Sequence, residues 1–269
     1  MRKIWRGIRL AWLNAGFYSG FAVLCFVFLC FVTVPGGLWL RYGRGFSRGE
    51  AARHLIWWYG RAWGKLLASF VPLRVEGLES VPSGPCIYTP NHQSFFDAYC
   101  FGMLPASNLA FAVRSWPFRI PLYGPFMRAA QYLNTEAQGA GEMLSGGGKL
   151  LRGGASLTVF PEGTRSRTGE LGRFRAGAFH LAAATGVPIV PVCIEGTGEF
   201  LRKGAFLLHP STVSIRVLEP VFSSQFAHLG DEVPLALRRA VKTRMRHTLA
   251  ELRREHAGAV AAVCRKEYV

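Results

Sequence analysis

Residues 86–97 read CIYTPNHQSFFD, in which an apolar run is followed by a polar loop and then by the start of a helical pattern. A second passage of the same kind, SLTVFPEGTRSR at residues 156–167, places another polar turn directly after an apolar run. Short apolar runs of this length are typical of buried strands, and strands that alternate with helices are the pattern of an α/β domain. We therefore predict an α/β fold with a mixed sheet flanked by helices.

Outward from these two passages, the alternation covers the chain after Pro72. Strands are predicted at residues 73–75, 86–89, 109–113, 157–160, 189–194 and 213–218, and helices at 95–103, 177–185 and about 235–256. Pro188 and Pro191 weaken the prediction of a strand at 189–194. Proline cannot donate to a sheet ladder and usually lies at an edge or at the start of a strand.

The N-terminal part is apolar, and no charged residue occurs between Leu10 and Leu40. Its core, Ala15 to Val34, has the roughly 20 residues that a membrane-spanning helix needs, and it is too long and bulky for a secretory signal peptide. Basic residues flank both ends, so the positive-inside rule assigns no orientation and a segment embedded in one leaflet fits equally well. These flanking residues are Arg2, Lys3, Arg6, Arg9, Arg41, Arg44, Arg48 and Arg53. We expect residues 1–70 to anchor the chain in a membrane and residues 71–269 to form one folded domain that ends in a basic helix.

Two further segments each allow two interpretations. Residues 54–67 combine three tryptophans and a tyrosine with Arg61 and Lys65, which suits either a helix at a membrane interface or an aromatic helix packed on the domain core. Near the C terminus, apolar residues recur at helical spacing among basic ones, which indicates either a solvated basic face or contact with anionic lipid. The apolar positions are Leu237, Val241, Met245, Leu249 and Leu252.

The charge of the chain favours an anionic partner. The formal net charge is +16 over 269 residues, which suits anionic lipid, a phosphorylated substrate or nucleic acid. The aromatic residues concentrate in the apolar first third, so membrane lipids are favoured and nucleic acid is not expected. The six cysteines form no CxxC pair, so we expect free thiols, with neither a disulfide framework nor a metal site.

The segment Asn91–Asp97 carries a base and an acid five residues apart, where a strand is predicted to give way to a helix. On one ideal helix the two side chains would point roughly 140° apart, so His92 and Asp97 can meet only if His92 lies in the loop before the helix. In that arrangement the carboxylate fixes the imidazole tautomer and leaves the other ring nitrogen free as a general base. The alternative is an ordinary loop histidine.

The second passage contains Phe160–Arg167, where proline ends the ladder and glycine permits a tight turn. Arg165 suits the recognition of a phosphate or carboxylate, because guanidinium binds such groups in bidentate fashion. The alternative is a surface turn with solvated charges. Because Arg173 and Arg175 follow closely, we predict a strongly electropositive site.

The two motifs, N-H-x4-D and F-P-E-G-T-R-S, stand in the order that marks the glycerolipid acyltransferase family, and the chain resembles its 1-acyl-glycerol-3-phosphate acyltransferases. The proline-bearing apolar segment at residues 187–192 is a third shared feature, and the resemblance covers about residues 70–220. It implies direct transfer of a fatty acyl group from acyl-CoA or acyl-carrier protein to the free sn-2 hydroxyl of lysophosphatidic acid, giving phosphatidic acid. Neither a cofactor nor a metal is implied.

The resemblance also implies roles for single residues. His92 is expected to act as the general base and Asp97 to orient it. Backbone amides at the start of the following helix are expected to help stabilise the oxyanion. Because the thioester donors are cytosolic, the catalytic domain is expected at the cytoplasmic face of a membrane, in a bacterium the inner membrane. The expected substrate-binding residues are Asn91 near the oxyanion, Glu162 and Gly163 at the glycerol part with Thr164 beside them, and Arg165 at the acceptor phosphate.

One family feature is different here. Between the two motifs the family usually has a polar-basic pair that helps to bind the acceptor phosphate, whereas the matching region of this chain ends in Asn134-Thr135. Arg128 is the candidate substitute, from a different position. Two alternatives therefore stay open, an acyltransferase for another lysolipid such as lyso-ornithine lipid and a non-catalytic basic protein of the membrane surface.

Overall fold

The computed structural model of the chain describes residues 2–121 and 123–266. The side chains of residues 2–6 and 259–266 lie outside that description, and with them the basic side chains of Arg2, Lys3 and Arg6 and the thiol of Cys264. The cysteines whose side chains are described are free thiols, as the sequence predicts: Cys25, Cys30, Cys86, Cys100 and Cys193.

Seven strands form one sheet at the centre of the fold: β1 (Leu73–Glu76), β2 (Ile87–Pro90), β3 (Leu109–Val113), β4 (Leu133–Asn134), β5 (Ser156–Val159), β6 (Ile189–Glu195) and β7 (Val213–Val217). Their spatial order is β1-β7-β6-β2-β5-β3-β4. Neighbouring strands are parallel except for β6 and β7, which are antiparallel. The predicted mixed sheet is therefore confirmed.

All the predicted strands occur, and each end falls within one residue of its prediction. One strand, β4, is not predicted from the sequence. It has two residues and is too short to give an apolar pattern. The strand that the prolines weaken is present as β6, which contains Pro191 and lies between β2 and β7. Pro191 has no amide hydrogen to donate to β7, but it lies at the end of that ladder. The Pro191 carbonyl still accepts a hydrogen bond from the Leu218 amide at 2.9 Å.

The α-helices that the structure describes are α1 (Arg2–Val27), α2 (Thr33–Leu38), α3 (Arg48–Ala68), α4 (Asp97–Cys100), α5 (Tyr123–Ala129), α6 (Ala140–Arg152), α7 (Gly177–Thr185), α8 (Thr197–Phe200) and α9 (Val233–Lys266). The predicted helix at 177–185 matches α7, and Gly186 ends it in the left-handed conformation at a φ of +72°. The helix predicted from residue 95 begins at Asp97, and it continues as a 3-10 helix over Phe101–Met103.

Helices cover both faces of the sheet, so the fold has three layers. On one face, Phe17 of α1 and Trp63 of α3 share a core cluster with Val192 of β6. On the other face, Met245 of α9 shares a second cluster with Cys193, the next residue of the same strand. Successive residues of β6 thus point to opposite faces, as a strand in the middle of a layered fold requires.

The N-terminal helices share the core of the sheet. Leu13 and Phe17 of α1 are 4% and 0% exposed. The Phe17 ring contacts the rings of Trp63, Phe96 and Phe200. Residues 1–70 therefore pack on the folded domain over part of their length, and the division of the chain near residue 70 stays a prediction.

From Gly7 to Gly43 the chain is a continuous helix of 37 residues, long and apolar enough to cross a membrane, and an 18-residue window within it has a mean hydropathy of 2.4. Two π-helical segments, Phe28–Val32 and Trp39–Gly43, join its α-helical parts. The first lies just before Pro35, which cannot donate within the helix and crowds the preceding turn. The Phe28 carbonyl at the start of this segment accepts two hydrogen bonds from Thr33, one from its backbone amide and one from its hydroxyl at 2.7 Å.

The aromatic segment in α3 and the apolar stripe in α9, which each allowed two interpretations, both pack on the core. In α3, Trp63 and Leu67 are fully buried, and the Trp57 indole donates to the Leu104 carbonyl at 2.8 Å. The structure therefore favours an aromatic helix packed on the domain. In α9 the predicted apolar stripe covers the sheet, and its five residues are each 0–2% exposed: Leu237, Val241, Met245, Leu249 and Leu252.

Candidate active site

The two sequence motifs meet at the carboxyl ends of neighbouring strands. The loop with His92 follows β2, and the turn with Glu162 follows β5. Because β2 and β5 are parallel, both segments leave the sheet at the same edge, which is where open α/β sheets place their ligand sites. A cavity of about 860 Å³ is lined by residues of both segments, and this volume is within the range of small-molecule sites.

His92 and Asp97 are in contact in the geometry that the sequence predicts. Nδ1 of His92 lies 2.8 Å from Oδ2 of Asp97, with His92 in the loop and Asp97 as the first residue of α4. The Asp97 side chain is fully buried, whereas the His92 side chain is 21% exposed and lines the cavity. The imidazole packs on the ring of Phe160 with 4.1 Å between centroids. With Nδ1 engaged, Nε2 is the ring nitrogen available to a bound substrate.

Asp97 accepts hydrogen bonds from three groups besides His92. Its Oδ2 accepts the backbone amides of Gln93 and Ser94 at 2.6 and 2.9 Å. Its Oδ1 accepts the hydroxyl of Thr197, the first residue of α8, at 2.6 Å. These bonds hold the carboxylate in one orientation, so that the hydrogen on Nδ1 of His92 has a fixed acceptor.

Glu162 joins the second motif to the base of the first. Its Oε1 accepts the backbone amide of His92 at 2.9 Å, and its Oε2 accepts the amide of Gly172 at 2.9 Å. Burial raises the pKa of the Glu162 carboxyl above its ordinary value, while the two amide bonds act in the opposite direction. The sequence predicts Glu162 at the glycerol part of the acceptor, and in the structure each of its oxygens accepts a backbone amide.

Asn91, which the sequence predicts near the oxyanion, is not among the residues that line the cavity. Its side chain is 1% exposed and bonds both backbone groups of Ile194, with Nδ2 donating to the carbonyl at 2.8 Å and Oδ1 accepting the amide at 2.7 Å. The amides of Gln93 and Ser94, which start the following turn, are engaged by Asp97. Asn91 therefore fixes the loop to β6, and these two amides do not face an oxyanion.

The second motif lines the cavity with Gly163, Thr164 and Arg165, as the sequence predicts, and two further cations join them. Arg175 and Lys203 lie on the same cavity wall. The Lys203 ammonium also donates to the Arg165 carbonyl at 2.9 Å and to the Thr164 hydroxyl at 3.3 Å, which fixes the turn. Among the side chains that the structure describes, none forms an ion pair with these three cations, so their charge is available to an anionic ligand.

Gly163 makes this packing possible. It has a φ of +68°, in the left-handed region that favours glycine. A Cβ atom added here would lie 2.7 Å from Nε of Arg175, which is closer than real contacts allow. Glycine therefore lets the turn and the Arg175 guanidinium approach each other at the cavity wall.

The region between the motifs supplies Arg114 to the cavity wall, and this cation is paired with Glu136. Nη1 of Arg128 donates to the Phe118 carbonyl at 2.9 Å, and Arg128 does not line the cavity, so it is no substitute for the missing basic residue. Oδ1 of Asn134 accepts the backbone amides two and three residues later, both at 3.1 Å, and so builds a local turn. The wall also carries Arg165, Arg175 and Lys203, which form no ion pair among the described side chains.

Sequence reasoning missed two residues of this site. Thr197 bonds Asp97 from 100 positions away, and Lys203 reaches Thr164 from 39 positions away. Neither residue lies in a recognisable motif, so the sequence gives no signal for them. Arg175 differs from them, because it is a cation that follows the second motif closely. In the part of the chain that the structure describes, no three His, Cys, Asp or Glu side chains are grouped so as to hold a metal ion.

Comparison with known proteins assigns the family. The Acyltransferase family model matches residues 72–195, which include both motifs. A 1-acyl-sn-glycerol-3-phosphate acyltransferase of Escherichia coli strain K12 is 31% identical over 216 residues, which are 76% of this chain and 84% of that protein. The chain belongs to the 1-acyl-sn-glycerol-3-phosphate acyltransferase family.

A solved member of this family has the same fold. The crystal structure of the 1-acyl-sn-glycerophosphate (LPA) acyltransferase from Thermotoga maritima aligns with a TM-score of 0.71 at 28% identity, over 92% of this chain and 98% of that one. A chloroplastic family member from Brassica napus is 36% identical over 169 residues, and the chain spans about half its length, 49%. Thr197 and Lys203 lie just beyond the part that the family model matches, so the structure alone assigns them to the site.

Proposed function

We propose that the chain transfers a fatty acyl group from acyl-CoA or acyl-carrier protein to the free sn-2 hydroxyl of lysophosphatidic acid, giving phosphatidic acid. The proposal rests on one observation above all: the His92–Asp97 pair and the cation Arg165 lie on the same cavity. A phosphorylated alcohol needs a base at its hydroxyl and a cation at its phosphate. A cavity with both turns the encounter of two substrates into an oriented reaction.

In this mechanism His92 is the general base. Its Nε2 takes the hydroxyl proton of the acceptor as the acceptor oxygen attacks the thioester carbonyl and forms the new C–O bond. The tetrahedral intermediate then collapses, the C–S bond breaks, and the leaving thiolate takes the proton from the imidazolium. Asp97 stabilises the imidazolium while it exists, and Thr197 and Glu162 act through these two residues as positioning groups.

The acceptor phosphate binds to Arg165, Arg175 and Lys203, three of the cations that line the cavity. The Arg165 guanidinium suits bidentate contact with phosphate oxygens, and Lys203 adds a compact charge beside it. Arg175 makes the third, next to Gly163. This cluster accounts for phosphate recognition without the polar-basic pair that follows Leu133 in the family.

The apolar part of the cavity suits fatty acyl chains. Phe28 and Leu29 of the N-terminal helix line the same cavity as His92, together with Tyr59 of α3 and Tyr99 of α4. The cavity therefore joins the apolar helix to the base. A lipid acceptor can enter from the bilayer while its headgroup reaches the cations.

The N-terminal helix attaches the enzyme to a membrane whose anionic lipids complement the net charge of +16. Leu13 and Phe17 pack into the core of the domain, so α1 is fixed along the catalytic domain by one face. This packing supports embedding in one leaflet over crossing the bilayer. Because the thioester donors are cytosolic, the proposed location is the cytoplasmic face, in a bacterium that of the inner membrane.

The test is acyl transfer by detergent-solubilised protein with acyl-CoA or acyl-carrier protein as donor. Lysophosphatidic acid should be acylated faster than lyso-ornithine lipid or lysophosphatidylethanolamine. Arg165→Gln should raise KM for lysophosphatidic acid by roughly tenfold or more, since a charge-assisted bond is lost. The matched control is Arg167→Gln, an exposed arginine of the same turn that does not line the cavity. Equal rates on all acceptors, or equal effects of the two variants, would contradict the proposal.

A further inference from the structure

Phe206 and Leu207 form an exposed apolar tip on the loop between α8 and β7. They are 88% and 47% exposed, whereas the next residue, Leu208, is fully buried. The loop is closed at its base by the His209 amide, which donates to the Phe200 carbonyl at 2.9 Å. A loop anchored in this way holds its two apolar side chains in solvent, which is unusual unless another surface covers them.

The apolar tip is joined to the N-terminal helix. Nδ2 of Asn14 donates to the Leu208 carbonyl at 3.0 Å, and the Leu208 amide donates to Oδ1 of Asn14 at 2.8 Å. One helical turn later, the Tyr18 hydroxyl donates to the Phe206 carbonyl. Both residues flank the buried face of α1, since Asn14 follows Leu13 and Tyr18 follows Phe17. The large apolar side chains exposed on α1 include Ile8, Trp12, Val23 and Phe26.

We propose that the apolar tip is a second membrane contact, which inserts into the same leaflet as the N-terminal helix. This inference rests on the membrane attachment proposed above. The occupant is an anionic phospholipid surface, because the loop carries Arg202 and Lys203 on one side of the tip and His209 on the other. Residues 201–210 contain no acidic residue. Apolar side chains next to basic ones are typical of segments that lie in a membrane interface.

The loop also reaches both motifs of the site, so docking of the tip is coupled to the site. On one side, Lys203 bonds the Thr164 hydroxyl and the Arg165 carbonyl. On the other side, the Leu201 carbonyl accepts the Ser94 hydroxyl at 3.1 Å, in the loop that carries the base. A bilayer that holds the tip therefore also holds the turn at residues 160–167, which carries Arg165, at a fixed depth relative to the lipid acceptor.

The direct test is quenching of an introduced indole by lipid. Phe206→Trp in the full chain is bound to vesicles of phosphatidylethanolamine and phosphatidylglycerol that carry bromine on their acyl chains. The emission that this variant adds to the wild type should be quenched on binding. The matched control is Phe222→Trp, an exposed position beside the start of β6, at the sheet end away from the site, whose added emission should be retained. No added quenching at position 206 in vesicle-bound protein would overturn the proposal.

A second variant separates docking from catalysis. Phe206→Ser with Leu207→Ser should lower the rate on lysophosphatidic acid embedded in vesicles by roughly tenfold, because apolar insertion is lost. The rate on detergent-dispersed acceptor should stay within twofold of the wild type. An equal fall in both formats, or loss of a dimer that the wild type forms in detergent, would overturn the proposal. Because quenching needs no turnover, it also tests the docking of a protein that proves inactive.

Discussion

The backbone amide of His92 donates to Oε1 of Glu162 at 2.9 Å, so a carboxylate of the second motif holds the base of the first. The Ser166 amide closes the contact from the other side by donating to the His92 carbonyl at 2.7 Å. The two motifs lie 70 residues apart, yet they form one hydrogen-bonded unit. A change in the second motif should therefore affect proton transfer without touching the acceptor.

Glu162→Gln tests this coupling. The amide of glutamine has one acceptor and one donor, so its NH2 group must face a backbone N–H of His92 or Gly172. We expect kcat to fall about tenfold or more, because one bond is lost and two donors are opposed. KM for lysophosphatidic acid should change little. Steady-state kinetics in detergent measure both constants, and a raised KM with unchanged kcat would place Glu162 at the acceptor instead.

The same carboxyl predicts a pH dependence of stability. Burial raises the pKa of Glu162 in the folded protein, so the folded state holds this proton more tightly than the unfolded chain. The contribution is fully present below the ordinary value of about 4.3, and it is lost as pH rises through the folded-state pKa. Relative to Glu162→Gln, the free energy of unfolding of the wild type should therefore decrease from about pH 4 towards neutrality. Denaturant titrations at several pH values measure this difference, and an increase would mean that the amide bonds outweigh burial.

Thr197→Val tests the positioning of Asp97. The substitution removes the hydroxyl that donates to Oδ1 of Asp97 at 2.6 Å, and kcat should fall about threefold to tenfold for the loss of one buried bond. The control is Thr158→Val in β5, since the Thr158 hydroxyl is buried and has no hydrogen-bond partner among the described residues. That variant should keep both activity and stability. Similar activity losses in both would assign the effect to packing.

Gly163→Ala tests the close approach between Arg175 and the turn of the second motif, residues 160–167. The added Cβ would lie 2.7 Å from the guanidinium, whereas in the control Gly169→Ala the nearest atom is 3.9 Å away. Both glycines have positive φ, at +68° and +80°, so both variants incur backbone strain of about 1 kcal/mol. Only Gly163→Ala should raise KM for lysophosphatidic acid, by severalfold. A matching KM increase in the control would show that strain alone is responsible.

The sequence predicts the contact between His92 and Asp97 because loop, strand end and helix start are all encoded within residues 86–97. It also predicts Arg165 as a site residue, because a guanidinium in a turn after a strand suits recognition of a phosphate or carboxylate. Asn91 and Glu162 belong to these motifs, but their hydrogen bonds are to the backbone of Ile194, His92 and Gly172. A motif identifies residues that matter and does not say whether they contact substrate or hold those that do.

The remaining features depend on contacts between distant parts of the chain. Thr197 meets Asp97 only because β6 lies beside β2, and no local pattern encodes that order. The two residues of β4 pair with β3 without an apolar run of their own. Pro191 contradicts a local rule, and its place inside the sheet is tolerated because its missing donor falls at the end of a ladder.

The most direct test of the central claim is the kcat of His92→Ala for acyl transfer to lysophosphatidic acid, in folded protein with an intact sheet. We expect kcat to fall by about 10²–10⁴-fold, the usual contribution of a general base, with the affinity for lysophosphatidic acid retained. The control is His180→Ala, an exposed histidine of α7 outside the cavity, which should keep wild-type activity. A His92→Ala enzyme that stays within threefold of the wild type would contradict the assignment of His92 as the base.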